Sequence, residues 1–381
     1  MKKSTLSPYI RYCAKLRNLS LLRHLPRYSP FTYDFSSNDY LGLSQHQALI
    51  QAAAEAAHTQ GLGAKTSRVV GCAHPEITAL ESQIAKDKQS QNALVFVSGY
   101  QANVSVLSAL LDSKALGATP LVFSDRLNHA SMHAGCQLAR AKQLRYHHLD
   151  YDHLAWTLAK TKSLKQPRFI LTESVFGMDG DVACLDTLIR LAKEYQAFLY
   201  VDEAHATGLF GKKGYGLTSD YGQDIELSMG TFSKALGGQG AYVTCDHALK
   251  RYLVNRANGF IYSTAPSPIQ IAIMQKAWEL IPSLQPKAQA LLQRAAKLRD
   301  SLQAIGLDTQ NTCTHIIPVM LKKAHDTLQA QRYLASQNIR VSAIRPPSVP
   351  LKQSRLRIAL NVNHDEAAIH ALTMAISTYF T

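Results

Sequence analysis

The stretch "AFLYVDEAHATG" (197–208) runs five apolar residues together and then, without a spacer, places Asp202 and, three residues on, His205. A short, continuously apolar run of this kind reads as a strand buried on both faces. The segment before it, "LDTLIRLAKEYQ" (185–196), carries Leu188, Leu191 and Ala192 at the spacing of one helix face. Helix followed by buried strand is half of an alternating α/β unit. The same rhythm extends outward in both directions. "ALVFV" (93–97), "PLVFS" (120–124), "RFILT" (168–172) and "LSMG" (227–230) are further apolar runs ending in polar or glycine residues, several of them separated by helix-length stretches. The pattern predicts a mostly parallel sheet between layers of helices, with its chemistry at the carboxyl ends of the strands.

The last third has its own rhythm. Pro286 is expected to open a helix with Leu291, Ala295, Leu298, Leu302 and Ile305 on one face, closed by Gly306. A strand "HIIPVML" (315–321), a helix near 324–337, a strand "RLRIAL" (355–360) and a last helix with Ile369, Leu372 and Ile376 follow. The expected organisation is an N-terminal helical segment (1–40), a large domain (41–275) and a smaller C-terminal α/β domain (276–381). A length of 381 residues accommodates this arrangement.

Composition narrows the function. Hydrophobic residues make up 46% and charged residues 18%, the mixture of a domain with a large core, and no apolar run reaches the length of a membrane span. Cys13, Cys72, Cys136, Cys184, Cys245 and Cys313 are scattered without a CxxC pair, which reads as reduced cytoplasmic thiols and neither a metal site nor a disulfide framework. The net charge of +14 is spread along the whole chain, with no dense basic run and no nucleic-acid-reading motif, so no nucleic-acid partner is expected. The first 30 residues hold Lys2, Lys3, Arg11, Lys15, Arg17, Arg23 and Arg27 and no acid before Asp34. Such a segment suits a transit peptide or a helix packed on the body of the protein, and the helix is the expectation here.

The strand ends carry the candidate chemistry. Asp202 suits a helix N-cap as well as a site, but an imidazole three residues away favours a site. "VFVSGYQAN" (95–103) leads through Ser98, Gly99 and Tyr100 into a helix whose N-terminus suits a phosphate. His129 follows "PLVFS" within "RLNHASMHAG" (126–135). "GTFSKALGGQG" (230–240) sets a single amine, Lys234, among small, apolar and flexible residues, and its glycines are no dinucleotide fingerprint because the strand-like "AYVTC" follows them. An amine, a strand-end aspartate, a neighbouring histidine, an aromatic-stacking candidate and a phosphate cradle are together the parts that hold pyridoxal 5′-phosphate. Lys234 would be its Schiff-base anchor and Asp202 the partner of its pyridine nitrogen. A partly desolvated amine is the better nucleophile.

Beyond these residues, "FSSNDYLGL" (35–43), "SGYQAN", "RLNHAS", "TESVFGMDGD" (172–181), "VDEAHATG", "GTFSKALGG" and "IYSTAPSP" (261–268) resemble, in order, the α-oxoamine synthases. These are fold-type-I pyridoxal-phosphate enzymes that condense an amino acid with an acyl thioester and release carbon dioxide. The resemblance runs from about residue 22 onward, which leaves little room for a cleaved leader. It implies that His205 bonds the ring 3′-oxygen and that His129 stacks on the ring and takes part in catalysis. Gly99, Tyr100 and Thr231 would lie at the cofactor, and Thr264 would reach the phosphate of the other subunit of a homodimer. Arg357 would hold the amino-acid carboxylate in a bidentate fork. "AIRPPSVP" (343–350) followed by "SRLRIAL" is most similar to the branch that joins L-alanine to a pimeloyl thioester in biotin synthesis, which adds Arg23, Asn38 and Ser348 as substrate contacts. The thioester carrier would be coenzyme A or acyl carrier protein, the latter an acidic partner for a basic chain. One departure is Gly177, where relatives usually have serine. The expectation is that His205 serves the 3′-oxygen alone, or that a water or another residue fills in for that hydroxyl, at a loss of about 1 kcal/mol.

Overall fold

The computed structural model describes residues 5–25, 30–71 and 74–380, so Lys2, Lys3, Arg27 and Cys72 lie outside the described residues. It divides into two compact units, one of 39–177 and 182–289, the other of 1–38, 178–181 and 290–381.

The first unit is built on a seven-stranded sheet. Its strands are β1 (Asn92–Phe96), β2 (Leu121–Asp125), β3 (Gln143–Tyr146), β4 (Arg168–Glu173), β5 (Ala197–Asp202), β6 (Leu227–Thr231) and β7 (Ala241–Cys245). They lie in the order β1-β7-β6-β5-β4-β2-β3. Pairings from β6 through β5, β4 and β2 to β3 are parallel, while β7 runs antiparallel to both its neighbours. The five apolar runs read from the sequence are all strands. The sequence reading missed β3, a short edge strand whose residues Gln143, Leu144 and Arg145 are not buried.

Alternation places the core on both faces of this sheet. Phe169, Leu171, Tyr200, Leu227 and Met229 pack with Ala102, Val106, Leu107 and Leu110 of the helix Gly99–Leu110. Phe123, Ile170, Leu199 and Val201 pack on the other face with Leu154 and Leu158 of Tyr151–Lys160 and with Leu188, Ile189 and Ala192 of Leu185–Tyr195. The Val, Leu, Ile, Phe and Met side chains among these are each worth about 1.5–3 kcal/mol of burial. Two loaded faces hold the strand ends rigid, which is what a site there requires. The buried Cys136 and Cys245 thiols are pushed up to about 12 by that same desolvation, so they are core side chains.

The second unit carries an antiparallel three-stranded sheet in the order Ser342–Ile344, Ser354–Ala359, Ile316–Lys322, with helices Ala324–Ser336 and Glu366–Phe380. Tyr33–Asp34 pairs in parallel with Ile339–Arg340, and Phe35 stacks on His364 at 4.0 Å. These contacts tie residues 33–35 to the C-terminal region, so the N-terminal segment belongs to the same unit as that region.

Two expectations are corrected. Pro286 does not open a helix: Pro282 and Pro286 both lie inside one helix, Pro268–Ala304. A proline inside a helix removes one backbone hydrogen bond but need not end the helix when tertiary packing holds it, and Ile281, Leu284, Ala288 and Leu291 are buried around these two. The expected boundary near residue 275 therefore falls within a continuous element, and the compact units divide at 289. The N-terminal helix does form, as Ser7–Asn18, but none of its residues is buried, and Tyr9, Ile10 and Tyr12 are 71%, 65% and 62% exposed. The expected packing of that helix on the body is absent among the described residues.

Candidate active site

The carboxyl ends of β5, β6, β4 and β2 in the first unit bring most of the expected residues together. Asp202 ends β5 and is buried. One of its oxygens accepts from Ala204 N at 2.8 Å and the other from Asn103 Nδ2 at 2.8 Å. Asn103 also donates to Ser131 Oγ at 2.9 Å and accepts from Tyr200 Oη at 2.6 Å. Ser131 Oγ lies 2.6 Å from His129 Nδ1. A single buried amide thus connects the strand-end carboxylate to the histidine loop. Neither Asn103 nor Ser131 was singled out from the sequence, although "SGYQAN" and "RLNHAS" contain them.

His129 is the N-cap of the helix Ala130–Leu138. Desolvation, with Lys234 adding to it and Asp202 opposing, lowers its basicity, so the ring is neutral near pH 7. Glu173, at the end of β4, faces Asp202 across the sheet. Burial first, and the Asp202 carboxylate second, push the Glu173 carboxyl well above its ordinary range. Its oxygens take the backbone N–H groups of His129 and Gly177. The raised Glu173 carboxyl thus joins two loops beside Asp202.

Lys234 stands in the loop after β6. That loop is closed by Phe232 N to Gly240 O at 2.9 Å, Gly238 N to Phe232 O at 2.9 Å and Gly237 N to Lys234 O at 2.9 Å. Gly237 has φ +65°, and a Cβ there would overlap the backbone of Leu43 and Ser44. The glycine-rich run is a tight return into β7 that presents Lys234. Its Nζ lies 2.7 Å from His205 Nε2, and His205 Nδ1 lies 2.8 Å from Tyr40 Oη. Tyr40 is fully buried and was not singled out from "FSSNDYLGL".

Gly99 begins the helix Gly99–Leu110, whose N-cap Ser98 accepts from Gln101 N at 3.3 Å. A Cβ on Gly99 would stand 3.8 Å from the Thr231 side chain, which places the helix N-terminus beside Thr231. Thr231 Oγ1 donates to Gly240 O at 2.9 Å. Tyr100 is 57% exposed, and Thr264 is exposed.

Gly177 needs a correction. A Cβ built on it would overlap His205 Nε2 and stand 2.8 Å from both Cδ2 and Cε1 of the ring. A serine here is therefore more than a hydroxyl added to the present arrangement, since the imidazole would have to move.

In the second unit, Arg357 is buried in Ser354–Ala359, opposite Ser342 and Pro318 in its two neighbours, and is no surface arginine. Arg23 Nη2 donates to Ser348 Oγ at 3.2 Å and to Arg345 O at 3.3 Å, so two of the expected substrate contacts meet each other. Asn38 belongs to this unit and is partly buried. Among the described residues no cluster of His, Cys, Asp and Glu could hold a metal ion, and no helix is long and apolar enough to cross a membrane.

The donor set of the first unit fits pyridoxal 5′-phosphate. It offers a primary amine on a rigid loop, a carboxylate fixed through both oxygens, two imidazoles and a helix N-terminus beside a threonine.

Residues 32–376 match the family model for aminotransferase class I and II. A Magnetococcus marinus protein, provisionally named 8-amino-7-oxononanoate synthase, is 48% identical over 90% of this chain and 87% of its own length. The 8-amino-7-oxononanoate synthase of Gluconacetobacter diazotrophicus is 44% identical over 90% of this chain and 86% of its own. Among solved structures, a serine palmitoyltransferase from S. paucimobilis with a bound pyridoxal-phosphate adduct superposes with a TM-score of 0.88 over 99% of this chain and 98% of that one, at 24% identity, a likeness of fold. The chain belongs to the class I and II aminotransferase family and is a pyridoxal-phosphate-dependent acyltransferase of the α-oxoamine synthase group.

Proposed function

We propose that this enzyme condenses L-alanine with a pimeloyl thioester, carried on acyl carrier protein or coenzyme A, to give 8-amino-7-oxononanoate, carbon dioxide and the released carrier. The reaction belongs to biotin synthesis, in the cytoplasm, and the working form is a homodimer. The observation that carries the chemistry is Lys234 Nζ set 2.7 Å from His205 beside an Asp202 held through both its oxygens. The substrates rest on the name shared by relatives 44–48% identical to this chain.

When bound, pyridoxal 5′-phosphate supplies an electron sink for the carbanion that forms at the amino-acid α-carbon. The protein does the rest. Asp202 holds a negative charge at the pyridine nitrogen, and the Asn103 amide and Ala204 N–H keep that carboxylate aimed. His129, fixed through Ser131, would stack on the ring and polarise the thioester carbonyl. His205 would bond the cofactor's 3′-oxygen. The phosphate would be held by the helix N-terminus at Gly99 and Tyr100, the Thr231 hydroxyl, and Thr264 of the partner subunit. Arg357 holds the alanine carboxylate, while Arg23, Asn38 and Ser348 receive the acyl chain. The Lys234 amine, when free, would take the α-proton and later return one, a role worth about 10²–10⁴-fold.

The test is product identity. The purified enzyme, given L-alanine and pimeloyl thioester, is expected to release one carbon dioxide per thioester consumed and to form a product with the mass of 8-amino-7-oxononanoate. Turnover with glycine or serine and a different acyl thioester, with none from alanine, would keep the group and change the product. No turnover and no visible absorbance with added cofactor would overturn the reading.

A further inference from the structure

The two ring nitrogens of His129 are given different work. Nδ1 accepts the backbone N–H of Ser131 at 3.3 Å, the bond by which His129 caps the helix Ala130–Leu138. A backbone N–H only donates, so the nitrogen it meets carries no proton. The Ser131 hydroxyl, fully buried, stands 2.6 Å from the same Nδ1. Its oxygen takes the Asn103 amide N–H at 2.9 Å, which leaves the hydroxyl proton for the imidazole. Two donors of one residue thus converge on Nδ1. We propose that Ser131 is a positioning residue that keeps the His129 proton on Nε2 and thereby makes this histidine a hydrogen-bond donor toward the substrate carbonyl. The part that concerns the carbonyl rests on the condensation proposed above, and the part that concerns the proton rests on these contacts alone.

The chain of bonds has one direction. Asn103 Nδ2 gives one proton to Asp202 Oδ2 at 2.8 Å and the other to Ser131, while its Oδ1 accepts from Tyr200 Oη at 2.6 Å. The amide nitrogen has no lone pair to offer the serine, so the buried hydroxyl has Nδ1 as its acceptor. A neutral imidazole holds one N–H, which then lies on Nε2. Burial lowers the basicity of the ring and favours that neutral form. With the proton on Nδ1 instead, the ring would set an N–H against the Ser131 N–H. Nε2 would then be bare, and a carbonyl oxygen, which only accepts, would find no donor there. Ser131 therefore acts on the reaction through His129, without itself touching the substrate.

The experiment uses the full chain without cofactor, labelled with ¹⁵N at its histidines, with His129→Gln to assign the His129 signals among the 15 histidines. Wild type is expected to show His129 protonated at Nε2, with Nδ1 bare and hydrogen-bonded. Ser131→Ala keeps the backbone N–H and removes only the hydroxyl, so the fold should hold, with the signals of histidines outside this loop unchanged. In that variant the His129 signature should shift toward a mixture of the two tautomers. Ser131→Thr, which returns a hydroxyl, should restore the wild-type pattern. With cofactor, L-alanine and pimeloyl thioester, Ser131→Ala is expected to lower kcat about five- to tenfold, the loss of one hydrogen bond, while KM for alanine stays within about twofold. An Nδ1–H tautomer in wild type, an unchanged His129 signature in Ser131→Ala, or an unchanged kcat would overturn the proposal. If Ser131→Thr does not fold, wild type and Ser131→Ala decide. Wild type that shows the Nε2–H signature but condenses no thioester would sink the proposed reaction and leave the assignment of the proton standing, a result distinct from the others.

Discussion

The first unit sets two lysines against residues just after one strand, Glu203 and His205, and they have opposite fates. Lys88 is fully buried and gives its three protons to the Glu203 carboxylate, to Tyr215 O at 2.9 Å and to Thr218 Oγ1 at 2.6 Å. Desolvation lowers its basicity and Glu203 opposes that. Lys234, one loop away, meets an imidazole nitrogen and remains partly open. Glu203 follows Asp202 directly, so consecutive acids serve opposite purposes. One pairs with a buried lysine, and the other, held by Asn103, is the carboxylate we propose for the cofactor ring. The two lysines thus differ both in the acceptor each is given and in burial.

The comparison can be broken by exchanging fates. Lys234→Ala has the largest expected effect, a loss of about 10³-fold or more in turnover together with loss of the covalent cofactor band, with thermal stability nearly unchanged. Lys88→Met reverses the pattern. It leaves Glu203 buried without its cation, at a cost of about 3–5 kcal/mol of stability measured by urea unfolding. The covalent band should survive in whatever fraction stays folded. If Lys88→Met abolished the band in fully folded protein, the division into a structural and a reactive lysine would fail.

A smaller effect is expected from Asn103→Ala. It removes the amide shared by Asp202, Ser131 and Tyr200, leaving buried polar groups unpaired at about 1–3 kcal/mol. Cofactor affinity should fall by about tenfold with the Lys234 band retained, as read by fluorescence titration. An affinity equal to wild type would mean that Asp202 holds its aim without the amide.

Sequence pattern made the strands of the large sheet legible because each is a continuous apolar run, and it made Lys234, Asp202, His205 and His129 legible because each follows such a run. Tyr40, Asn103 and Glu173 lay inside motifs already noticed and were still missed. Their significance lies in partners 165, 99 and 29 positions away, a relation that no local spacing carries. Edge strand β3 was missed because its exposed residues break the apolar run. Pro286 misled because a proline suits a helix's first turn so well that its tolerance inside a packed helix goes unread. Gly177 looked like an absent hydroxyl, and only the position of the His205 ring shows it as occupied space.

The smallest expected effect separates the two carboxyls that face each other across β4 and β5. Glu173 is held well above its ordinary range, by burial first and then by Asp202. A carboxyl raised on folding contributes stability that is fully present below its unfolded value, near 4.3, and is lost as pH rises through the folded value. Glu173→Gln keeps an oxygen for the backbone N–H groups of His129 and Gly177 and has no proton to lose. Relative to wild type, the variant should therefore gain stability as pH rises from acid toward alkaline, while cofactor affinity at neutral pH stays within about twofold of wild type, less than the loss of one hydrogen bond. Asp202→Asn, the same exchange one strand away, should lose affinity because it removes the charge the cofactor ring needs. Urea unfolding of both variants across pH checks this. A Glu173→Gln variant that loses stability relative to wild type as pH rises would mean that Glu173 is the ionised member of the pair, and the roles assigned to the two strand ends would have to be exchanged.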